Sequence, residues 1–274
     1  MNKSILLTIG AAALLTAGLF SLPKGVVSSQ ERKLSGGQQA QASRPDSAAG
    51  SGMHQQPLSA DQQRKLEGVK ARYAAAGAGQ KPKAGLELME AYRNVSRYDS
   101  AARVAEELAA LDPTEANLLR AGDQYYEAYG FAADAQKATA LGQKTREIYQ
   151  KALDKNPNLL TAKANMAMTY VTTETPMQGI ALLRQILEQD PSNELALFNM
   201  GLLAMRSNQW NRAVERFRAI LASHPENTKA QFYLALSLNE LGKKDEARQL
   251  LMQVKEREKD PAIQQAISEL EKEF

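Results

Sequence analysis

The residues able to do covalent, acid–base or metal chemistry at neutral pH are few in this chain. Among 274 residues there is no cysteine, and the histidines are His54 and His224 alone. A thiol nucleophile, a disulfide and a Cys-ligated zinc are therefore excluded. A Ser-His-Asp triad or a His-built metal centre would have to use one of the two imidazoles. His54 lies in a Ser/Gln/Gly/Ala-rich stretch, and His224 directly precedes Pro225 with no second histidine nearby. The sequence holds no phosphate-binding glycine loop, nucleophile elbow or zinc spacing. No catalytic residue, metal ligand or cofactor is expected, and the chain reads as a non-enzyme.

Charge offers a second kind of chemistry, the attraction of polyanions. The formal net charge is +3. Lys3, Lys24, Arg32, Lys33 and Arg44, against Glu31 and Asp46, place that excess within residues 1–57. The remaining 217 residues carry 29 Lys+Arg and 29 Asp+Glu. The body has no net basic field to steer a nucleic acid, and none is expected as a partner.

The elements that carry these residues begin with an apolar run. Ile5–Leu22 is eighteen positions without a charge, preceded by Lys3. At ~1.5 Å per residue such a helix spans roughly 27 Å, near the ~30 Å hydrocarbon core. It reads as a signal anchor within residues 1–25, or alternatively as a cleaved signal peptide with Thr16-Ala17-Gly18 as the small-residue site. Lys3 and the terminal amine before the run nearly balance Lys24, Arg32 and Lys33 after it. A short charged start followed directly by an apolar run points to export, with the body in the periplasm and the membrane bound through residues 5–22. The alternative location is soluble periplasmic, after cleavage. Residues 26–58 hold too few large apolar side chains to order themselves and read as a tether.

From Ser59 onward the composition is that of helices, rich in Ala, Leu, Glu, Gln and Lys. Ser59-Ala60-Asp61-Gln62 predicts a capping box that starts a helix over 59–76. A proline ladder follows at Pro113, Pro157, Pro191 and Pro225, with intervals of 44, 34 and 34 residues. Glu194–Asn227 (ELALFNMGLLAMRSNQWNRAVERFRAILASHPEN) has small residues at Gly201 and Ala213, large ones at Trp210 and Phe217, and Pro225 at its close. Met166, Ala167, Tyr170, Gly179 and Leu183 stand in register in 160–193, and Leu234, Leu238, Ala247 and Leu251 in 228–261. Leu88, Tyr92, Ala101 and Leu108 do so in 82–115, and Gly122, Tyr125, Tyr149 and Ala152 in 116–159. The unit 116–159 carries ten extra residues, centred on Gly130–Gly142, whose helix formers predict longer helices rather than a floppy loop. Thr175-Pro176-Met177-Gln178 reads as a second capping box, Gly242 suits a helix C′ position, and 262–274 reads as a terminal capping helix.

In period and in motif this body resembles the tetratricopeptide repeat family of bacterial type, with Gly122, Ala167, Gly201, Trp210, Ala213, Phe217, Pro225 and Ala247 as its structural signature. The resemblance implies an all-α solenoid, a right-handed superhelix of helix-turn-helix repeats spanning 59–261, whose first helices line a groove for a peptide or partner helix. The groove positions carried over are Asn165, Met168, Phe198, Asn199, Leu202, Lys229, Phe232 and Tyr233, together with Thr161, Ala164, Leu195 and Leu236. Asn165 and Asn199 fall at equivalent places, where an amide can grip a peptide unit with both donors and an acceptor. Only Asn199 and Lys229 match the family's carboxylate clamp, while Ala164, Met168 and Tyr233 depart from it. The lining thus favours an apolar or amphipathic ligand. The implied function is a membrane-tethered protein-interaction scaffold. The alternative is an exported assembly chaperone similar to the tetratricopeptide parts of cytochrome c maturation proteins.

Overall fold

The computed structural model describes residues 57–171, 173–258 and 261–271. The anchor 5–22, His54 and most of the tether lie outside the described residues. Among the described residues there are twelve helices and no strand. None of these helices is long and apolar enough to cross a membrane.

The helices form two compact units, one ending at Asn158 and the other beginning at Leu159. The first unit holds α1 (Ala60–Ala75), α2 (Lys81–Arg93), α3 (Tyr98–Leu111), α4 (Glu115–Gly130) and α5 (Ala135–Lys155). The second holds α6 (Leu160–Tyr170), α7 (Pro176–Gln189), α8 (Glu194–Arg206), α9 (Trp210–Ser223), α10 (Thr228–Glu240), α11 (Lys244–Arg257) and α12 (Pro261–Leu270). Within each unit every helix packs on the next, and α6 also packs on α8.

Local chemistry explains where these helices start and stop. Pro113, Pro157, Pro191 and Pro225 each lie two residues beyond a helix end. The residue ahead of each (Asp112, Asn156, Asp190, His224) has φ between −134° and −143° and ψ between 72° and 97°. Proline excludes the helical region for its predecessor, so the chain turns out there. Re-entry is capped by side chains: Asn193 accepts from Ala196 N–H (3.1 Å) and Asn227 from Ala230 N–H (2.9 Å). The turns inside three helix pairs, α2–α3, α8–α9 and α10–α11, are closed differently. Ser96, Asn208 and Gly242 take φ of 56°, 56° and 75°. The following N–H groups of Arg97, Gln209 and Lys243 donate back to the carbonyls of Tyr92, Ala204 and Leu238 at 2.8–2.9 Å.

The box at Ser59 forms: Gln62 N–H donates to Ser59 Oγ (3.2 Å), and Ser59 N–H donates to Gln62 Oε1 (3.0 Å). The box expected at Thr175 does not form. Pro176 does open α7, but Thr175 makes no side-chain cap, and its hydroxyl instead pairs with Thr173 Oγ1 (3.3 Å). Pro261 is the first residue of α12 rather than the close of the repeat before it; α11 has the same 14 residues as α7 and α9. The ten extra residues of 116–159 lengthen helices. The turn occupies Phe131–Asp134, α5 runs for 21 residues, and Asp134 caps it by accepting from Lys137 N–H (2.7 Å).

Small residues set how closely paired helices approach. A Cβ on Gly122 would lie 2.4 Å from Tyr149 Cδ1, and one on Gly201 would lie 2.7 Å from Phe217 Cζ. Each ring fills the space that a side chain would need. Ala167, Ala213 and Ala247 are fully buried, as is Phe217. Trp210 opens α9 half-buried, and Pro225 is exposed in its loop.

Candidate interaction site

The second unit gathers the residues of the expected groove, and their surroundings differ along the row. Phe198, Phe217, Phe232 and Tyr233, from α8, α9 and α10, form one aromatic cluster. Phe198 meets Phe217 edge-on at 5.7 Å and Tyr233 edge-on at 5.3 Å. Phe217 stacks on Tyr233 at 5.7 Å, and Phe232 meets Tyr233 edge-on at 5.5 Å. Offset and edge contacts of this kind add to the burial of the rings. Phe232 and Tyr233 are buried, Phe198 and Leu202 are half-buried, and Lys229 is exposed. On α6, Met168 is buried and Asn165 half-buried. Ala164 and Leu236 are buried as well, so much of this register is filled by the unit's own packing.

Two amides stand out in that packing. Asn199 is 7% exposed and Gln231 4% exposed. Among the described residues, Asn199 Nδ2 and Gln231 Oε1 are buried without a hydrogen-bond partner. Gln231 is anchored at its other end, where Nε2 donates to the Pro225 carbonyl (2.8 Å). Sequence reading passed over Gln231. Its signal was a polar side chain 34 residues after Leu197, an apolar core position. Burial pushes the Tyr233 phenol up to about 12, so it is a neutral donor at physiological pH.

In the first unit, ion pairs and tyrosine–carboxylate hydrogen bonds tie successive helices together. Arg93 Nε and Nη2 donate to the two oxygens of Glu127 (3.1 and 3.0 Å), tying α2 to α4. Tyr125 O–H donates to Glu106, which also accepts from Lys144 Nζ (3.0 Å). Tyr149 O–H donates to Asp123 Oδ1 (2.6 Å). Desolvation would raise the Glu106 pKa, but the bonds from Tyr125 and Lys144 outweigh it and hold the carboxyl below its ordinary value. Among the described residues there is no group of three or more His, Asp or Glu side chains placed to hold a metal ion. His224 lies at the edge of a loop, its Nδ1 3.8 Å from Glu194 Oε2.

Residues 198–261 match the family profile described as tetratricopeptide repeat. No curated protein matches the chain. A tetratricopeptide repeat protein from Parabacteroides merdae is similar in structure, with a TM-score of 0.57 and 15% identity over 78% of this chain and 81% of that one. MamA from Desulfovibrio magneticus aligns with a TM-score of 0.48 and 16% identity, over 66% of this chain and 96% of that one. YrrB, described as a tetratricopeptide protein with an unusual peptide-binding site, aligns with a TM-score of 0.44 and 14% identity, over 74% and 97%. At these identities the likeness concerns the fold alone.

Proposed function

We propose that this chain, built of tetratricopeptide repeats, is a non-enzymatic interaction scaffold holding an extended peptide or partner helix along the Asn165–Asn199–Tyr233 row of its second unit. The observation that carries the reading is the Asn199 carboxamide. A buried donor without an acceptor costs about 1–3 kcal/mol, and a leucine of similar size would avoid that loss. A ligand carbonyl reaching Asn199 after a small rotation of the carboxamide supplies the missing acceptor. The half-buried Phe198 and Leu202 and the exposed Lys229 give the same ligand an apolar strip with a charged end. In the same reading, residues 5–22 tether the scaffold to the inner membrane with its repeats in the periplasm.

Crosslinking capture from the native membrane tests the groove, using the full chain and Asn199→Leu, with Asn165→Ala beside it. Asn199→Leu should melt at or above the parent temperature yet lose the partner that the parent recovers. Undiminished recovery by a stably folded Asn199→Leu would overturn the reading. For the tether, a reporter fused after Phe274 should be active only outside the cytoplasm, and activity confined to the cytoplasm would refute export.

A further inference from the structure

The first helices of the first unit, α2 and α4, share a chain of polar contacts with an unused end. Arg93, in the last turn of α2, donates from Nε and Nη2 to the two oxygens of Glu127, in the last turn of α4 (3.1 and 3.0 Å). At one end of the chain, Glu90 Oε2 lies 3.5 Å from Arg93 Nη1. At the other, Gln124 Nε2 donates to Glu127 Oε2 (3.4 Å). Gln124 Oε1 is buried there without a hydrogen-bond partner. The bond from Nε2 fixes the sense of the carboxamide, because the reversed group would turn Oε1 onto the Glu127 carboxylate.

The repeat register sets these residues side by side. Glu90 and Gln124 are 34 residues apart, as are Arg93 and Glu127. Leu86, one turn before Glu90 on the same face of α2, is 44% exposed. Within the chain of contacts, Glu90 and Glu127 against Arg93 leave one negative charge in excess, and the Glu90 side chain is 62% exposed. Arg120, one turn before Gln124, directs Nη1 back toward the start of α4, to Asn117 Oδ1 (3.0 Å). Arg93 and Glu127 stand at helix C-termini, where the dipoles present their negative ends. A surface with surplus acceptors, excess negative charge and a short apolar strip is complementary to a cationic donor on an aliphatic stem.

We propose that this row of the first unit is a second docking surface, one that takes a lysine side chain of a partner protein. The ammonium donates to Gln124 Oε1 and to the Glu90 carboxylate, and its methylene stem lies over Leu86. Arg93 and Glu127 are positioning residues: their paired bonds hold α2 to α4 and orient the Gln124 carboxamide. The surface rests on the scaffold reading for its kind of partner but shares no residue with the Asn199 row.

The test uses the full chain in non-ionic detergent and a fluorescein-labelled Gly-Lys-Lys-Lys-Gly peptide, read by anisotropy at low salt. The acetyl-lysine analogue should bind about ten-fold more weakly, as should the lysine peptide to Glu90→Gln. Gln124→Leu, which leaves every charge in place and removes the orphaned acceptor, should keep the fold and weaken binding about five-fold. Leu86→Ser should weaken it about three-fold. Asn199→Leu should bind the peptide as the parent does, which separates failure here from failure of the groove reading. Spermidine should compete more weakly than unlabelled peptide. Equal binding of the lysine and acetyl-lysine peptides, competition by spermidine as strong as by the peptide, or unchanged affinity in a folded Gln124→Leu or Glu90→Gln would overturn the proposal.

Discussion

The substitution Gly201→Ala sets two opposing effects against each other at one atom. In an open helix, alanine is more stable than glycine by ~0.8–1 kcal/mol. At Gly201 the new methyl would lie 2.7 Å from Phe217 Cζ and 2.8 Å from Cε1. Carbons settle at ~3.5–4.0 Å, so the ring must retreat by about 1 Å. It has nowhere to go: Phe217 is fully buried, with Phe198 on its edge and Tyr233 stacked against it, each at 5.7 Å. Overpacking of this kind costs ~1–3 kcal/mol, so the net effect is a destabilisation of about 1 kcal/mol. Gly68 on α1 is the control, because the nearest atom to its added methyl is Arg72 Nη1 at 3.9 Å. Gly68→Ala should stabilise by ~0.8–1 kcal/mol, so identical changes should differ in sign and by about 2 kcal/mol. Urea unfolding followed by circular dichroism reads both, and the fluorescence of Trp210, the chain's single tryptophan, isolates the second unit. In Gly201→Ala/Phe217→Leu the clashing ring atoms are gone, and the pair should show a favourable coupling of about 1 kcal/mol. A rise in midpoint for Gly201→Ala, or strict additivity with Phe217→Leu, would refute the close-approach argument.

Two further outcomes follow from backbone and charge. Ser96 holds φ of 56° without being glycine, so Ser96→Gly should raise the unfolding free energy by ~0.5–1 kcal/mol, whereas Asn208→Gly should be nearly neutral because asparagine tolerates that region; calorimetric melting checks both. Desolvation at Asp99 and Glu106 is outweighed by Lys137 and Lys144 respectively, among other bonds, so both carboxyls titrate below their ordinary values when folded. Groups lowered on folding add stability above their unfolded pKa and lose it as pH falls through the folded one. The first unit should therefore lose stability as pH drops below about 4, and Lys144→Gln should flatten that dependence; an unchanged pH profile in a folded Lys144→Gln would contradict the assignment.

How much of this was legible in the sequence depended on the kind of constraint. The Pro ladder marks helix ends because proline acts on its immediate predecessor, whatever the tertiary setting. Ser59 formed its capping box with Gln62, whereas the Thr175 hydroxyl pairs instead with a neighbour, Thr173, two residues away. The longer helices of 116–159 were readable from their helix formers. The turn at Phe131–Asp134 was not, because no Pro or Gly marks its centre and it is fixed by the Phe131–Tyr98 stack and the Asp134 cap. The groove positions were the hardest to read. A 34-residue period fixes which residues are equivalent but not whether a neighbour covers them, and Phe232 and Tyr233 are covered by their own cluster.

Equivalence of position thus does different work on the two sides of each helix pair. At the closing turn, Ser96, Asn208 and Gly242 adopt one backbone conformation although their side chains differ, because the hydrogen bond back to the preceding turn fixes it. On the first helices, Asn165, Asn199 and Tyr233 share a register yet meet different surroundings, because what surrounds a side chain is set by the volumes of its neighbours. Repeats can therefore drift freely on the first-helix row while the turns hold the stack, and in the proposed scaffold reading a ligand's chemistry is written where the repeats differ. By that logic Asn199, a polar residue buried beside an aromatic cluster, and Gln124, with its orphaned acceptor, carry more information about partners than the motif residues Gly201, Ala213 and Phe217, which any stacked helix pair of this geometry would need.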